Sequence, residues 1–139
     1  MFTLTRESAL SPAELWHRVA SLEDHADTVP LTRTIADPGA PSVGWGFTVR
    51  TALGPIRFDD TMVVEEWNAP RQWRIRKTGR LRGWAEAVVT PYAGGSRLTW
   101  TEELWLDAPG LRPLSRRIGD LTGPVLFGRV ADQLVAVTR

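Results

Sequence analysis

The chain has 139 residues, of which 42% are hydrophobic and 24% charged, as in ordinary globular proteins. It contains no cysteine, which excludes disulfides, zinc–thiolate centres and thiol catalysis, and its net charge of +1 gives no general phosphate-binding footprint. No apolar run approaches the roughly 20 residues of a membrane span, and residues 1–7 lack the regions of a signal peptide, so we expect one cytoplasmic domain over residues 1–139.

The N-terminal part of the sequence predicts a strand followed by two short helices. Residues 2–7 alternate weakly between apolar and polar, as a short strand does. Ser11 is then an N-cap, Pro12 occupies the first helical position, and Glu14 completes a capping box. A second short helical segment follows, and we expect it to end at Pro30.

From residue 31 onward, the apolar residues alternate with polar ones, and this period of two predicts six further strands. Turn residues separate the segments, with hairpin loops expected at residues 68–71 and 93–96. Because short turns join consecutive strands, the sheet is expected to be antiparallel.

The last part of the chain predicts a long helix. Its first apolar stripe contains Leu111, Leu114, Ile118, Leu121 and Val125, and its second contains Phe127, Val130, Leu134 and Val137. The stripes are out of phase at Gly123-Pro124, so a kink is expected at Pro124, which cannot donate a backbone hydrogen bond. Only this helix is large enough to cover one face of the sheet, which indicates an α+β fold.

Three stretches resemble the motifs of one protein superfamily. Residues 11–16 (Ser-Pro-Ala-Glu-Leu-Trp) are similar to its first-helix entry, residues 64–73 to its strand–Pro–Arg–strand hairpin, and residues 94–100 to its Gly-Gly-Thr-Arg-Val-Thr-Trp turn. The layout resembles the helix-grip fold of the START/Bet v 1-like (SRPBCC) superfamily, in particular its polyketide cyclase/dehydrase group. The resemblance implies a seven-stranded antiparallel sheet wrapped around a long kinked C-terminal helix, with a hydrophobic cavity between them. It implies no single reaction.

The parity of the strands assigns side chains to the inner face of the sheet. In the first hairpin we expect Met62 opposite Lys77, and in the second Val89 opposite Trp100. A one-residue slip would turn every side chain to the other face. The predicted ligand-binding wall, including two helix residues, consists of Trp45, Phe47, Phe58, Met62, Trp73, Ile75, Trp100, Leu121 and Phe127.

Parity also directs charged side chains inward: Asp60, Lys77 and Glu102, with Glu66 at the rim. Since an unpaired charge in an apolar site is costly, the diagonal neighbours Asp60 and Lys77 are expected to pair. These groups are suited to anchor a carbonyl or hydroxyl group of a ligand, or to act as acid and base. The alternative is a structural ion pair, or a rim charge in contact with water.

The chain has only two histidines. His25 follows Leu22 by three residues on the inward stripe of the second short helix. The resemblance implies that this helix guards the cavity entrance, which makes His25 the best candidate for proton transfer. A partly buried surface histidine is the alternative. His17 lies about 200° around the first helix from Leu15 and is expected to be exposed. Neither histidine belongs to a metal-binding motif, and no metal or cofactor is expected.

Our leading hypothesis is a protein that binds a hydrophobic, aromatic or polyketide-like small molecule. An enzyme of this kind would cyclise or dehydrate its substrate through His25, Glu102, Asp60 and Lys77, without a cofactor. The alternatives are a non-catalytic carrier or sensor of lipid-like ligands, and an interaction module in which Trp84 and Trp105 pair on the outer face as a partner or homodimer patch. The basic run at residues 71–82 alternates along its strand, which favours a solvated charge ladder over nucleic-acid binding.

Overall fold

The computed structural model describes residues 1–28 and 31–136, so the helix end expected at Pro30 lies outside the described residues. The strands are β1 (Phe2–Ser8), β2 (Thr32–Ala36), β3 (Gly46–Leu53), β4 (Ile56–Asn68), β5 (Gln72–Thr78), β6 (Leu81–Tyr92) and β7 (Gly95–Leu106). The helices are α1 (Pro12–Ala20), a 3₁₀ helix (Leu22–Thr28) and α2 (Arg112–Val135). This element order matches the predicted order of one strand, two short helices, six strands and a long helix.

The strands form one antiparallel sheet in the order β1-β7-β6-β5-β4-β3-β2. Strands β2 to β7 follow one another as a meander, and β1 pairs with β7 at the far edge. Helix α2 packs against β7 and β1. The predicted α+β fold, a seven-stranded antiparallel sheet with a long C-terminal helix packed against it, is therefore confirmed.

The hairpin of β4 and β5 has the predicted register only in the half that lies farther from its turn. Met62 lies opposite Lys77, as expected, but a bulge at Glu65 shifts the register, so that Glu66 lies opposite Arg74. Beyond the bulge the inward and outward positions are exchanged. Glu66 is consequently exposed, and Trp67 packs on Trp16 with ring centroids 5.4 Å apart. The expected inward position of Glu66 at the rim was wrong.

The hairpin of β6 and β7 differs from the expected register by two residues. Tyr92 pairs with Gly95 across a two-residue turn, and Val89 lies opposite Leu98 instead of Trp100. A shift of two residues keeps every side chain on its face of the sheet, because side chains alternate with a period of two. The inward positions on β7 therefore survive, although the partners change.

The same shift separates the two tryptophans that were expected to pair on the outer face. Trp84 lies opposite Glu103, and Trp105 lies opposite Arg82. Instead, an arginine guanidinium group packs over each indole ring. Arg74 Cζ lies 4.1 Å from the ring centroid of Trp84, and Arg112 Cζ lies 4.7 Å from that of Trp105. The expectation of an aromatic cross-strand pair was wrong.

Local sequence signals place α1 as predicted. The Ser11 hydroxyl accepts a hydrogen bond from the Glu14 amide at 3.2 Å, which caps the helix. Leu15 and Val19 are fully buried, whereas His17 is exposed. At the end of α1 the indole Nε1 of Trp73 donates to the carbonyl oxygen of Val19 at 2.9 Å, which attaches the helix to the middle of the sheet.

Helix α2 buries a different face from the one its leucines predict. Its first apolar stripe is solvent-exposed, with Leu121 77% accessible, and the buried positions in this half are Gly119 and Gly123. A Cβ atom on Gly123 would lie 2.2 Å from the Phe2 ring, and one on Gly119 would lie 2.7 Å from Leu104. The backbone of α2 thus lies too close to β1 and β7 for side chains on this face.

The second half of α2 follows its predicted stripe. Val130, Ala131 and Leu134 are buried, and the helix continues through Pro124. Val137, the last member of the stripe, lies outside the described residues. At the helix end the Ser8 hydroxyl donates to the Val135 carbonyl oxygen at 2.6 Å, which joins α2 to β1.

Candidate functional site

A cavity of about 220 Å³ lies between the inner face of the sheet, the 3₁₀ helix and α2. Its size is that of a site for a small organic molecule and not for a single water. The cavity is lined by Leu22, His25, Thr32, Phe47, Val49, Thr51, Phe58, Asp60, Met62, Trp73, Ile75, Lys77, Trp100, Glu102, Leu126, Phe127 and Val130.

Strand β6 contributes no lining residue, and this absence of bulk makes room for the cavity. Three of its inward positions are the small residues Gly83, Ala85 and Ala87, and the two alanines are almost completely buried. Ala85 lies between Ile75 on β5 and Glu102 on β7. Small residues on this central strand therefore leave space between the longer side chains of its two neighbours.

Aromatic rings form one side of the cavity. Trp73 and Trp100 meet edge to face with centroids 5.2 Å apart, and Phe127 of α2 stacks on Trp100 at 6.2 Å. Edge-to-face and offset pairs are the preferred geometries of aromatic contacts. The result is an apolar aromatic wall on one side of the cavity, which suits contact with an apolar, aromatic ligand.

Two of the three inward charges form an ion pair. Lys77 Nζ lies 2.8 Å from Asp60 Oδ2 and 3.6 Å from Met62 Sδ, and only 4% of the Lys77 side chain is accessible. Burial acts to lower the pKa of Lys77, but the attraction of Glu102 and Asp60 outweighs it and holds that pKa above its ordinary value. Lys77 is therefore a fixed ammonium group in the cavity wall.

The third inward charge, Glu102, is 1% accessible. Its Oε1 accepts a hydrogen bond from Trp100 Nε1 at 3.1 Å. Burial raises the pKa of Glu102 to about 6, while the attraction of Lys77 and the bond from Trp100 limit the rise. A carboxyl group with such a pKa exchanges protons near neutral pH, as a general acid or base must.

His25 lines the cavity from the 3₁₀ helix. Its ring lies 6.0 Å from that of Trp100 and 6.4 Å from that of Trp73, and its Nε2 is 3.4 Å from the Arg18 carbonyl oxygen. The four predicted acid–base residues, His25, Asp60, Lys77 and Glu102, thus face one cavity although they come from four different elements.

Two residues of the predicted wall do not line the cavity. Trp45 is buried in the core beside Phe47, and its Nε1 donates to the Asp37 carbonyl oxygen at 3.1 Å, so the indole is held beside the cavity and does not line it. Leu121 points to solvent because Gly119 and Gly123 turn their side of α2 toward the sheet. The other predicted wall residues, Phe47, Phe58, Met62, Trp73, Ile75, Trp100 and Phe127, line the cavity.

Sequence reasoning missed several lining residues. Val49 and Thr51 continue the alternation of Phe47 along β3, so parity could have included them. Val130 follows Phe127 by three positions, the spacing of one helix face. Leu126 belongs to neither predicted stripe, and no sequence signal identifies it.

The described residues bring together no group of three His, Cys, Asp or Glu side chains that could hold a metal ion. Within the same part of the chain, no helix combines the length and the apolar character of a membrane span.

Comparisons with known proteins place this site in context. The family model for "Polyketide cyclase / dehydrase and lipid transport" matches residues 1–137. No curated protein matches the sequence significantly. Among solved structures, the Zhui aromatase/cyclase from Streptomyces sp. R1128 is similar at a TM-score of 0.70 and 14% identity, covering 96% of this chain and 92% of that one.

Two further structures share the fold. The di-domain ARO/CYC StfQ from the steffimycin biosynthetic pathway has a TM-score of 0.74 at 11% identity, covering 96% of this chain and 48% of that one. Ara h 8.0201 has a TM-score of 0.67 at 12% identity, covering 96% of this chain and 95% of that one. At these identities the similarity concerns the fold alone. The match of the family model over nearly the whole sequence shows that the chain belongs to the polyketide cyclase/dehydrase and lipid transport family.

Proposed function

We propose that the protein binds a hydrophobic, aromatic or polyketide-like small molecule in the cavity and catalyses its cyclisation or dehydration. The observation that carries the proposal is the combination of an aromatic wall with two buried ionisable groups, Lys77 and Glu102, and the half-buried Asp60 in one cavity. The cyclases among the structural relatives support the same class of ligand.

The chemistry requires a base, a cation and an acid. Glu102 or His25 would remove a proton from the carbon beside a ligand carbonyl group, and the Lys77 ammonium would stabilise the resulting enolate. The enolate carbon would then attack a second carbonyl carbon, and the protonated base would return its proton to the new alkoxide. For dehydration, the base would remove a second proton from the carbon between the new alcohol and the remaining carbonyl group. A C=C bond would then form as the C–O bond breaks, and a proton donated to the departing hydroxyl group would release it as water.

Native mass spectrometry of the purified protein, followed by denaturing extraction, tests the binding step. A co-purified hydrophobic compound is the expected result and supplies a substrate for turnover assays. If the extract and a thermal-shift screen with aromatic polyketides and fatty acids both show no ligand, the proposal is wrong.

Variants separate an enzyme from a carrier. In an enzyme, Glu102→Gln and His25→Ala lower turnover of the bound ligand, and His25→Ala retains affinity. Trp100→Ala weakens binding because it removes part of the aromatic wall. The matched controls are Glu65→Gln and His17→Ala, since Glu65 pairs with Arg74 outside the cavity and His17 is exposed. Unchanged turnover in both cavity variants would show that Glu102 and His25 are not the catalytic groups. A wild-type protein that binds the ligand and releases it without any conversion would be a carrier.

A further inference from the structure

Two carboxylate oxygens in the cavity have no hydrogen-bond partner among the described residues. They are Oε2 of Glu102 and Oδ1 of Asp60, and both atoms are buried. The second oxygen of each group is already used, by Trp100 Nε1 and by Lys77 Nζ respectively. Because a buried acceptor without a donor destabilises the fold, each of these atoms is available to a donor that enters the cavity, from water or from a ligand.

Lys77 adds a hydrogen-bond donor to this pair. An ammonium group carries three protons, and the contacts at hydrogen-bond distance are the strong acceptor Asp60 and the weak acceptor Met62 Sδ. With all three groups ionised, one cation faces two carboxylates, which leaves a net negative charge. The cavity therefore combines surplus acceptors with one buried donor and disfavours an anionic ligand.

We propose that the ligand carries hydroxyl groups on its aromatic frame, which donate to Glu102 Oε2 and Asp60 Oδ1 and accept from Lys77 Nζ. A hydroxyl group both donates and accepts, so it matches all three side chains. A ligand whose polar groups are all ketones only accepts hydrogen bonds and leaves both orphan oxygens without donors, and a fatty-acid carboxylate adds a third negative charge. This assignment rests on the proposed function, because it names the chemical class of the ligand in the same cavity.

Three probes of equal ring size test the assignment: 1,3-dihydroxynaphthalene, naphthalene and 1-naphthoate. Their binding can be followed by calorimetry, or by quenching of the Trp73 and Trp100 fluorescence. We expect the diol to bind at least about tenfold more tightly than naphthalene, since it satisfies buried acceptors, and more tightly than the naphthoate.

Two variants locate the effect. Glu102→Gln keeps an oxygen for Trp100 Nε1 but can place an NH₂ donor where Oε2 stood, and Asp60→Asn makes the equivalent change beside Lys77. Each should reduce the preference for the diol several-fold while the affinity for naphthalene stays the same. Glu65→Gln on the outer face is the matched control and should change neither affinity. Melting temperatures verify folding, and either cavity variant alone suffices for the test.

The outcomes distinguish this inference from the proposed function. If the diol and naphthalene bind equally, or if neither variant reduces the preference, the hydroxyl assignment is wrong while binding in the cavity stands. If the naphthoate binds best, the cavity selects an acid and the assignment is again wrong. If no probe binds and native mass spectrometry also finds no ligand, the proposed function fails together with the assignment.

Discussion

Lys77 and Asp60 face each other diagonally from neighbouring strands, with Nζ 2.8 Å from Oδ2, on the inner surface of the sheet. Only 4% of the lysine side chain and 14% of the aspartate side chain are accessible. Ion pairs that are buried to this extent are weak sources of stability as a unit, but the loss of one partner leaves the other charge uncompensated. Single substitutions in the pair should therefore destabilise the fold. Because both residues line the cavity, the same substitutions also change the candidate site.

Removal of the buried cation should strongly destabilise the fold. We expect Lys77→Met to lower the free energy of unfolding at pH 7 by about 3–5 kcal/mol, because Asp60 and Glu102 then remain buried as unpaired carboxylates. Urea denaturation of both proteins measures the loss. The control is Arg76→Met on the outer face, where the arginine is 60% accessible and pairs with Glu65, and a loss below about 1 kcal/mol is expected. Equal losses in the two variants would contradict the prediction.

The raised pKa of Glu102 predicts a defined pH dependence of stability. The folded protein holds the proton up to about pH 6, whereas the unfolded chain releases it near the ordinary value of 4.5. Folding therefore favours the protonated form, and the contribution of this group to stability falls by about 2 kcal/mol as the pH rises through this window.

The variant Glu102→Gln isolates this contribution. Relative to the wild type, the free energy of unfolding of the variant should rise as the pH increases from 4.5 to 6. Above pH 6 the difference between the two proteins should stay constant. His25, Asp60 and Lys77 line the same cavity and are present in both proteins. The comparison therefore uses the difference in free energy of unfolding between the two proteins at each pH. A difference that does not change with pH over this window would show that Glu102 has an ordinary pKa.

The glycines of α2 should respond differently to a methyl group. At Gly123 the new Cβ would lie 2.2 Å from the Phe2 ring, so Gly123→Ala should be destabilising, because overpacking of about 1–3 kcal/mol outweighs a gain in helix propensity of about 1 kcal/mol. At Gly128 the nearest atom is the Arg6 guanidinium tip at 3.3 Å, so Gly128→Ala should be neutral or stabilising. Thermal denaturation compares the two, and the opposite order would show that α2 is not packed this closely on β1.

The two apolar stripes of α2 should differ in their importance. Leu134 is 4% accessible, and Leu134→Ala should cost about 2–5 kcal/mol, as for other buried leucines. Leu121 is 77% accessible, and Leu121→Ala should change stability by less than about 0.5 kcal/mol. Chemical denaturation of the pair checks this, and a large loss for Leu121→Ala would indicate that its stripe is covered in solution.

Much of the fold follows from local patterns in the sequence. Alternation identified the strands, capping residues identified the start of α1, and parity pointed Asp60, Lys77 and Glu102 to one face. A register error of an even number of residues leaves each side chain on its predicted face of the sheet. The two-residue error in the last hairpin therefore left Trp100 facing the interior. A bulge exchanges the two faces beyond it, and the one at Glu65 reversed the orientation of Glu66 and Trp67.

The sequence by itself determined the order of the elements, the antiparallel sheet and the inward direction of Asp60, Lys77 and Glu102. These features depend on short-range spacing along the chain. Only the tertiary structure decided which face of α2 meets the sheet. The leucine stripe predicted one face, but the glycine face meets the sheet, since the helix backbone lies so close to the Phe2 and Leu104 side chains that only glycine leaves enough space. The tertiary structure also decided that Trp45 bonds to Asp37 across the loop between β2 and β3 and lies outside the cavity, because the alternation of side chains does not specify the conformation of that loop.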